Sequence, residues 1–470
     1  MTVVGPPAIG TGVQRQAPAL VAGALAAALV GAATGALGPL VLVVLAAGGL
    51  FALVATRPVT AAYVYLAAMP FITGIERGAL VPLMRPNEAL QLLLTVAVLG
   101  GAYVRSLTRR EAVVSVTRLD RTIVVLAVLA SAWPIAWLLL RGESPTTEDL
   151  LSTATLWRLA ALYALFRYVV RTPEQLRRCV GVLLVAAGGL ALVTVLEALG
   201  APSIGGLVDG VGGAVGGDGR GQGTLSSSIA VGDVLAYSLA VVLALSLRSR
   251  IRRSTTAVAV LLVCCGILAT GQFSAWIAAL VVVVVVAGSE RQLGRLLVRA
   301  LPVAAVGLVV SWPIVSERLS GFESELGVPN SWLGRVDNLT QFYLPQLGGF
   351  RWLLGVRPDA VLPAPETWRE VIYLESGLLW LLWVGGVPLL LAFLWFLRTA
   401  LRHTRRVAAE RVDDVGAVAL GARAALWAMA LLTIIDMHLT LRGGGDLLFL
   451  LLGLSAVRWR ATGEEVASRW

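Results

Sequence analysis

The sequence predicts an all-α polytopic membrane protein with twelve to fourteen transmembrane helices, of which fourteen is the favoured count. Of its 470 residues, 57% are hydrophobic and 14% are charged, whereas soluble domains carry about 25% charged residues. Mean hydropathy is +0.83, and apolar runs recur along the whole chain. A soluble protein of this length needs far more polar surface, so the composition excludes a cytosolic globular enzyme and a single-pass receptor.

A transmembrane helix needs about 20 mostly apolar residues. The first apolar run leads directly into a second one, so we expect it to be kept as a span rather than removed as a signal peptide. The segments 255–270 and 273–288 are either two short helices or one long helix bent at Thr270-Gly271. The predicted spans are 17–36, 38–56, 59–75, 88–104, 121–140, 152–170, 178–199, 227–247, 255–270, 273–288, 295–315, 372–397, 414–435 and 443–459.

The basic residues set the predicted orientation. All 38 are arginines, and they fall in short clusters in every second loop, which is typical of cytoplasmic loops. Both termini are therefore predicted to be cytoplasmic. Because the arginines lie between apolar runs, the net charge of +10 does not indicate nucleic-acid binding. The clusters are Arg105–Arg121, Arg171–Arg178, Arg248–Arg253, Arg291–Arg299 and Arg398–Arg411.

Two outer segments stand out within what we predict to be a single integral membrane domain, 1–470. Residues 200–226 are rich in glycine, and residues 316–371 form the only large loop. The large loop contains aromatic residues and amphipathic stretches such as VDNLTQFYLPQL. We therefore expect it to fold as short helices on the outer surface.

Several ionisable residues lie inside predicted spans or at their outer ends. Such residues are costly in a membrane and usually face the bundle interior or a cavity. They either form structural pairs, for example Arg158 with Glu197 or Asp233, or line a polar pocket that opens outward. Their position near one side favours the pocket. They are Arg158, Glu197, Asp233, Asp436, Arg442 and Asp446.

Two further positions are candidates for chemistry. Arg220 lies in GDGRGQGTLSSSIAVGD, immediately before a predicted helix. A helix N-terminus beside glycines can bind an anion, and arginine is a bidentate phosphate partner; the alternative is a flexible loop with an incidental arginine. Glu375, and Glu370 before it, lie at the start of an outer helix. A carboxylate there acts as a general base or simply favours the helix dipole.

The sequence gives no indication of a bound metal or cofactor. HExxH, Cys/His clusters, paired-Asp motifs and a P-loop are all missing from it. The two histidines, His403 and His438, are far apart in the sequence. We therefore predict chemistry without metal or cofactor.

Four stretches resemble the O-antigen ligase and polymerase superfamily of bacterial membrane glycosyltransferases. RGQGTLSSSIAVGDVLA is similar to the family's helix-opening Arg-x-x-Gly-Thr segment, and LATGQFSAWIAALVV to its Thr-x-Ser-Arg helix start. GRVDNLTQFYLPQLGGFRWLLGVRPDA is similar to its Arg-led outer helix, and YLESGLLWLLWVGGVPLL to its helix that ends in a Gly pair. The order and spacing match over about residues 150–400.

The resemblance implies a GT-C-like fold in the bacterial cytoplasmic membrane and transfer of a saccharide on its outer face. The donor would be a polyprenyl-diphosphate-linked oligosaccharide, the acceptor a hydroxyl of a saccharide or glycolipid, and a chain-length regulator a further partner. Fixed positive charge would stabilise the departing diphosphate without a metal. The implied catalytic residues are Arg220 and, as base, Glu375; the implied substrate-binding residues are Arg158, Arg335, Asp233, Arg442, Glu370 and Asp359.

The sequence departs from the family pattern at two places: the first implies that one phosphate contact is missing or supplied by another arginine such as Arg158, and the second favours a polymerase over a ligase. Gln272-Phe273 replaces the family's Ser-Arg, and the large outer loop offers Glu375 where ligases commonly have a histidine. Two other functions stay open: a lipid-linked oligosaccharide flippase or other transporter, and a glycan polymerase of the shape, elongation and division family. The large outer loop weighs against the first, and the motifs of the second do not occur.

Overall fold

The computed structural model describes residues 40–79, 81–108, 116–201, 221–248, 253–291, 312–320, 330–364 and 371–457, with scattered residues between 294 and 309. These residues are almost entirely helical. The helices are α1 (Leu40–Thr56), α2 (Val59–Ile72), α3 (Pro86–Thr108), α4 (Arg118–Leu129), α5 (Ala132–Leu140), α6 (Thr147–Val169), α7 (Pro173–Ala198), α8 (Ser228–Arg248), α9 (Arg253–Ala269), α10 (Phe273–Ser289), α11 (Trp312–Ser320), α12 (Asn330–Asn338), α13 (Arg351–Leu354), α14 (Gly377–Glu410), α15 (Asp414–Leu432) and α16 (Gly444–Ser455).

The fold is that of a helical membrane protein. Among the described residues, six helical segments are long and apolar enough to cross a membrane, and five apolar helices have 10–17 residues. The expected count of fourteen spans is not reached in this part of the chain. Every predicted span between residues 38 and 288, and each one after residue 372, coincides with a described helix; the span 17–36 lies outside the described residues, and 295–315 is described only in part.

Helix α8 occupies the centre of the bundle. It packs against α10, α15, α9, α7 and α16. In its most apolar 18-residue stretch, 94% of the residues are buried, compared with 28% in the corresponding stretch of α3 at the periphery. Small residues permit the close packing, since Gly421 of α15 lies against Val241. A helix that is apolar on all sides and surrounded by other helices is the expected core of such a bundle.

Two apolar runs that look continuous in the sequence are broken in the structure. The segment 253–289 forms two helices, α9 and α10, which settles the alternative at Thr270-Gly271 in favour of two helices. Helix α14 is interrupted at Gly386, whose φ of +65° favours glycine, just before Pro388. The break frees the carbonyl group of Trp383, which accepts a hydrogen bond of 2.6 Å from the N–H of Val356 in the large loop.

The described parts of the large loop, 316–320 and 330–364, contain short helices, as predicted. Helix α12 continues into a π turn, Leu339–Tyr343, and a 3₁₀ turn, Leu344–Leu347. Two short antiparallel strands follow, β1 (Leu362–Pro363) and β2 (Val371–Ile372). The buried hydroxyl of Tyr343 lies 2.8 Å from two carbonyl oxygens, that of Ala360 before β1 and that of Ile372 in β2, and its single hydrogen can be donated to either. This tyrosine therefore anchors the loop above α14.

The contacts bring described members of the predicted cytoplasmic arginine clusters together at one end of the bundle. There, Arg177 of α7 bonds Asp414 of α15 at 2.9 Å, and Arg248 of α8 bonds Glu290 after α10. We call this the basic end and the opposite one the loop end, because it carries the large loop. Which side of a membrane each end faces stays a prediction.

Candidate functional site

Four arginines from three separate segments meet at the loop end. Arg77 and Arg85 belong to the connection between α2 and α3, Arg158 to α6, and Arg442 to the turn before α16. Arg77, Arg85 and Arg158 are all electrostatic neighbours of Arg442. We call these four residues the arginine cluster. The sequence pointed to Arg158 and Arg442; it did not indicate Arg77 or Arg85.

The cluster contains more positive charge than its acidic neighbours offset. Glu88 and the more exposed Glu148 lie 3.5 and 3.9 Å from Arg77, and Asp446 lies 2.5 Å from Arg158. Burial and the neighbouring Arg442 and Arg77 lower the pKa of Arg85 to about 10. Within the described part of the chain, the buried Nε–H groups of Arg77 and Arg85 have no hydrogen-bond acceptor. Buried donors without acceptors are costly, and an anion in this place would satisfy them.

A cavity of about 370 Å³ lies beside the cluster, between α3 and α6. Arg77, Glu88 and Arg158 form its polar part. Its other walls are mainly apolar and include Leu92 and Trp157, which are 53% and 43% exposed at the outside of the bundle. A molecule with an anionic head and a long apolar tail would find a chemical match for both parts here.

Asp446 holds Arg158 in place. The carboxyl group of Asp446 is fully buried and also accepts a hydrogen bond of 3.2 Å from the N–H of Gly443 at the start of α16. The prediction that Arg158 pairs with Glu197 or Asp233 is therefore wrong. The turn Arg442-Gly-Gly-Gly-Asp446 needs its glycines, because a Cβ on Gly444 would lie 2.7 Å from the Cβ of Asp233 on α8.

Arg335 and Glu375 form a second polar group at the same end. Nε of Arg335 on α12 lies 3.4 Å from Oε2 of Glu375, which precedes α14, and its Nη2 lies 3.9 Å from Oδ2 of Asp436 after α15. About a quarter of each of the first two side chains is exposed. The sequence predicted both residues as site residues, and the structure brings them together.

Asp233 takes part in a buried pair with His438. Nδ1 of His438 lies 2.7 Å from Oδ2 of Asp233, and both side chains are almost completely buried. Burial alone would lower the pKa of His438, but the Asp233 carboxyl group raises it overall. Among the described residues, Asp233 therefore pairs with His438 and not with Arg158. His438 and Asp436 belong to the same turn as Arg442, so this turn connects the arginine cluster with the Arg335–Glu375 pair.

Asp359 lies elsewhere at the loop end. Its N–H donates to Oδ1 of Asp149 at 3.1 Å, and its own carboxyl group accepts from the N–H of Val361. Asp149 also binds Arg357 through two hydrogen bonds, of 3.1 and 2.6 Å. This part of the loop is thus fastened to the start of α6, and Asp359 shares in that attachment.

Two predicted residues, Arg220 and Glu370, lie outside the described residues. The glycine-rich motif after Arg220 is described from Gly221 and opens α8, as the sequence predicted. The N–H of Gly223 donates to Glu197 at 2.6 Å, and the hydroxyl of Ser226 donates to the carbonyl group of Gly74, three residues before Arg77. The motif therefore packs against the connection that carries two members of the arginine cluster.

A comparison of the sequence with protein-family models gives no match, and a comparison with curated proteins gives none either.

Proposed function

We propose that this protein transfers a saccharide from a polyprenyl-diphosphate donor to a sugar hydroxyl, as a polymerase rather than a ligase of the O-antigen type. The observation that carries the proposal is the arginine cluster beside an apolar cavity. A polyprenyl diphosphate has the two parts that this site accommodates, a doubly charged head and a long hydrocarbon tail. The motif resemblance over residues 150–400 supports the same donor.

The arginines would act on the leaving group. When the acceptor hydroxyl attacks the anomeric carbon, the bond from that carbon to the diphosphate oxygen breaks, and negative charge grows on the diphosphate. Preorganised positive groups are worth most where charge develops in a site that excludes water. Arg77 and Arg158 line the cavity, Arg85 lies beside them in the cluster, and Arg220 is a further member in this proposal.

Glu375 would accept the proton of the attacking hydroxyl. Its ion pair with Arg335 orients the carboxyl group, and orientation within reach of the acceptor is the first requirement of a general base. Arg335 and Asp436 would bind the acceptor sugar beside it. The turn 436–442 then joins the acceptor side to the donor side, with the buried pair of His438 and Asp233 supporting that turn.

The proposal includes the finer features that the sequence predicts. These are twelve to fourteen crossings in a GT-C-like arrangement, a place in the bacterial cytoplasmic membrane with both termini in the cytoplasm, and a reaction on the outer face. The donor is a polyprenyl-diphosphate-linked oligosaccharide, the acceptor a saccharide or glycolipid, and a chain-length regulator is a further partner. No metal is required in this scheme.

One assay separates transfer from transport. Purified protein receives a polyprenyl-diphosphate oligosaccharide in detergent, with a chelator present. We expect longer glycans together with free polyprenyl diphosphate. An unchanged donor in detergent, combined with movement of the donor across vesicles that contain the protein, would refute transfer and identify a flippase, for which the same cluster and cavity would serve as the binding site.

A further inference from the structure

A second cavity, of about 560 Å³, lies at the basic end, between α8, α10, α14 and α15. Three arginines line it, Arg248, Arg405 and Arg423. They belong to three different helices, so the cavity is built by the packing of the bundle and not by one basic segment. It is far along the helices from the arginine cluster, and the proposed function makes no use of it.

Arg423 is the unusual member of this group. Helix α15 begins at Asp414. Arg423 lies nine residues further on, about 14 Å from that end along the helix axis. An arginine at that depth in a membrane helix is costly and commonly marks a binding site. Its described hydrogen bond is a contact of 3.4 Å with the hydroxyl of Ser289. Among the described residues, no carboxylate forms an ion pair with it.

The charges in the cavity do not balance. Arg248 is paired with Glu290 and also donates to the backbone carbonyl groups of Ala408 and Arg411, at 2.7 and 3.0 Å. Arg423 and Arg405 are electrostatic neighbours of like sign, and in the described chain neither forms an ion pair. Two adjacent guanidinium groups without a counter-ion fit a phosphate group, which can accept hydrogen bonds from both.

The other wall of the cavity identifies the rest of the ligand. Val284, Leu420 and Trp427 line it, and Val284 and Trp427 are 53% and 44% exposed on the outside of the bundle. This apolar surface therefore continues into the face that α10 and α15 present to hydrocarbon. A free phosphate would use only the arginines, whereas a phospholipid would use both parts of the cavity.

We propose that this cavity binds the headgroup of an anionic phospholipid through Arg405 and Arg423, with the acyl chains lying along Val284 and Trp427. The lipid would bridge α10, α14 and α15 at the basic end. It is a binding site separate from the donor site, and it can be present or absent whatever reaction the loop end performs.

The test is the thermal unfolding of the purified full-length chain in detergent, titrated with phosphatidylglycerol, with phosphatidylcholine and with soluble glycerol phosphate. We expect phosphatidylglycerol to raise the unfolding temperature, and the other two to leave it nearly unchanged. In Arg423→Gln, the phosphatidylglycerol concentration needed for the half-maximal shift should increase roughly fivefold, since each arginine near a lipid headgroup is worth about 1 kcal/mol.

Two variants make the result specific. Arg57→Gln removes an exposed arginine at the same end of the bundle, outside the cavity, and should respond to lipid as the wild type does. Arg405→Gln removes an exposed cavity residue; it should weaken the response as Arg423→Gln does, and it carries the test if Arg423→Gln does not fold. Three results would each overturn the proposal. They are equal shifts with both lipids, a full shift with glycerol phosphate, and wild-type lipid affinity in Arg405→Gln and Arg423→Gln.

Discussion

Two groups of arginines, one at each end of the bundle, are arranged in opposite ways. At the basic end, Arg248 lies against Glu290 and two carbonyl groups, and Arg177 lies against Asp414. At the loop end, the four arginines of the cluster have the acidic neighbours Glu88, Glu148 and Asp446, and the buried Nε–H groups of Arg77 and Arg85 have no acceptor among the described residues. The first arrangement holds helices together. The second leaves positive charge available to an anionic ligand. The pairing of the arginines therefore identifies the site better than their number does.

Removing the carboxylates at the two ends should have different consequences. In Glu375→Gln, turnover should fall about a thousandfold, because a general base contributes roughly 10²- to 10⁴-fold, while the affinity for the donor stays the same. In the matched variant Glu290→Gln, at the basic end, turnover per folded molecule should be unchanged. Single-turnover kinetics and donor binding measured on both variants check this. Full activity in Glu375→Gln would remove Glu375 from the mechanism.

Removing one arginine from the cluster should cost activity and not stability. In Arg85→Gln, we expect transfer to fall about a hundredfold, the usual cost of losing one charge-stabilising group. Its unfolding temperature without donor should not decrease, because the variant loses a buried positive group that Arg77 and Arg442 repel. We expect the same loss of activity for Arg220→Ala. An unstable but fully active Arg85→Gln protein would mean that the cluster is structural.

Arg248→Gln should cost stability and not activity, the reverse of Arg85→Gln. Glu290 would lose its partner, and two carbonyl groups would lose a donor. Hydrogen bonds to charged groups contribute about 2 kcal/mol, so the free energy of unfolding should decrease by roughly that amount, while activity per folded molecule is kept. Chemical denaturation combined with the transfer assay measures both quantities. A variant of wild-type stability with poor turnover would contradict the comparison between the two ends.

Much of the fold follows from the sequence, because apolar runs and short loops specify where helices lie. The break at Gly386 could not be placed, since GLLWLLWVGGVPLLL is apolar on both sides of it. Within the site, Arg158, Arg442 and Glu375 were visible as ionisable residues in predicted spans or at their ends, and Arg335 was implied only by the family resemblance. Arg77 and Arg85 look like ordinary residues of a short connection, and only the packing of that connection against residues 223–227 brings them to the site.

The pairings are the part that sequence reasoning could not supply. Arg158 and Asp446 are 288 residues apart, and the acid that meets a given arginine depends on the rotation and depth of two packed helices. Asp233 and Glu197 were equally plausible partners in the linear sequence. One signal was available: three consecutive glycines before Asp446 indicate a close approach of backbone to a neighbouring helix, which here is α8 at Asp233.

The smallest expected effect on activity concerns Asp149. It tests whether a charged residue takes part in the reaction because of its position at the loop end or because it is unpaired. Asp149 lies at the loop end, in the first turn of α6 and before the predicted span, but it is fully paired. Burial opposes its ionisation, yet hydrogen bonds from Arg357, Thr146 and Asp359 lower its pKa to about 2, from an ordinary value near 3.9. Because the folded state binds fewer protons, this contribution is present above about pH 4 and is lost as the pH falls towards 2.

Asp149→Asn should therefore decrease the free energy of unfolding by about 1 kcal/mol at pH 7 and flatten its pH dependence between 4 and 2. Transfer activity at pH 7 should be close to that of the wild type, because Asp149 is satisfied within the protein and leaves no charge for a ligand. Denaturation at a series of pH values, with Glu143→Gln as an exposed acidic control at the same end, gives the measurement. A large loss of activity in Asp149→Asn would show that position at the loop end matters more than free charge does.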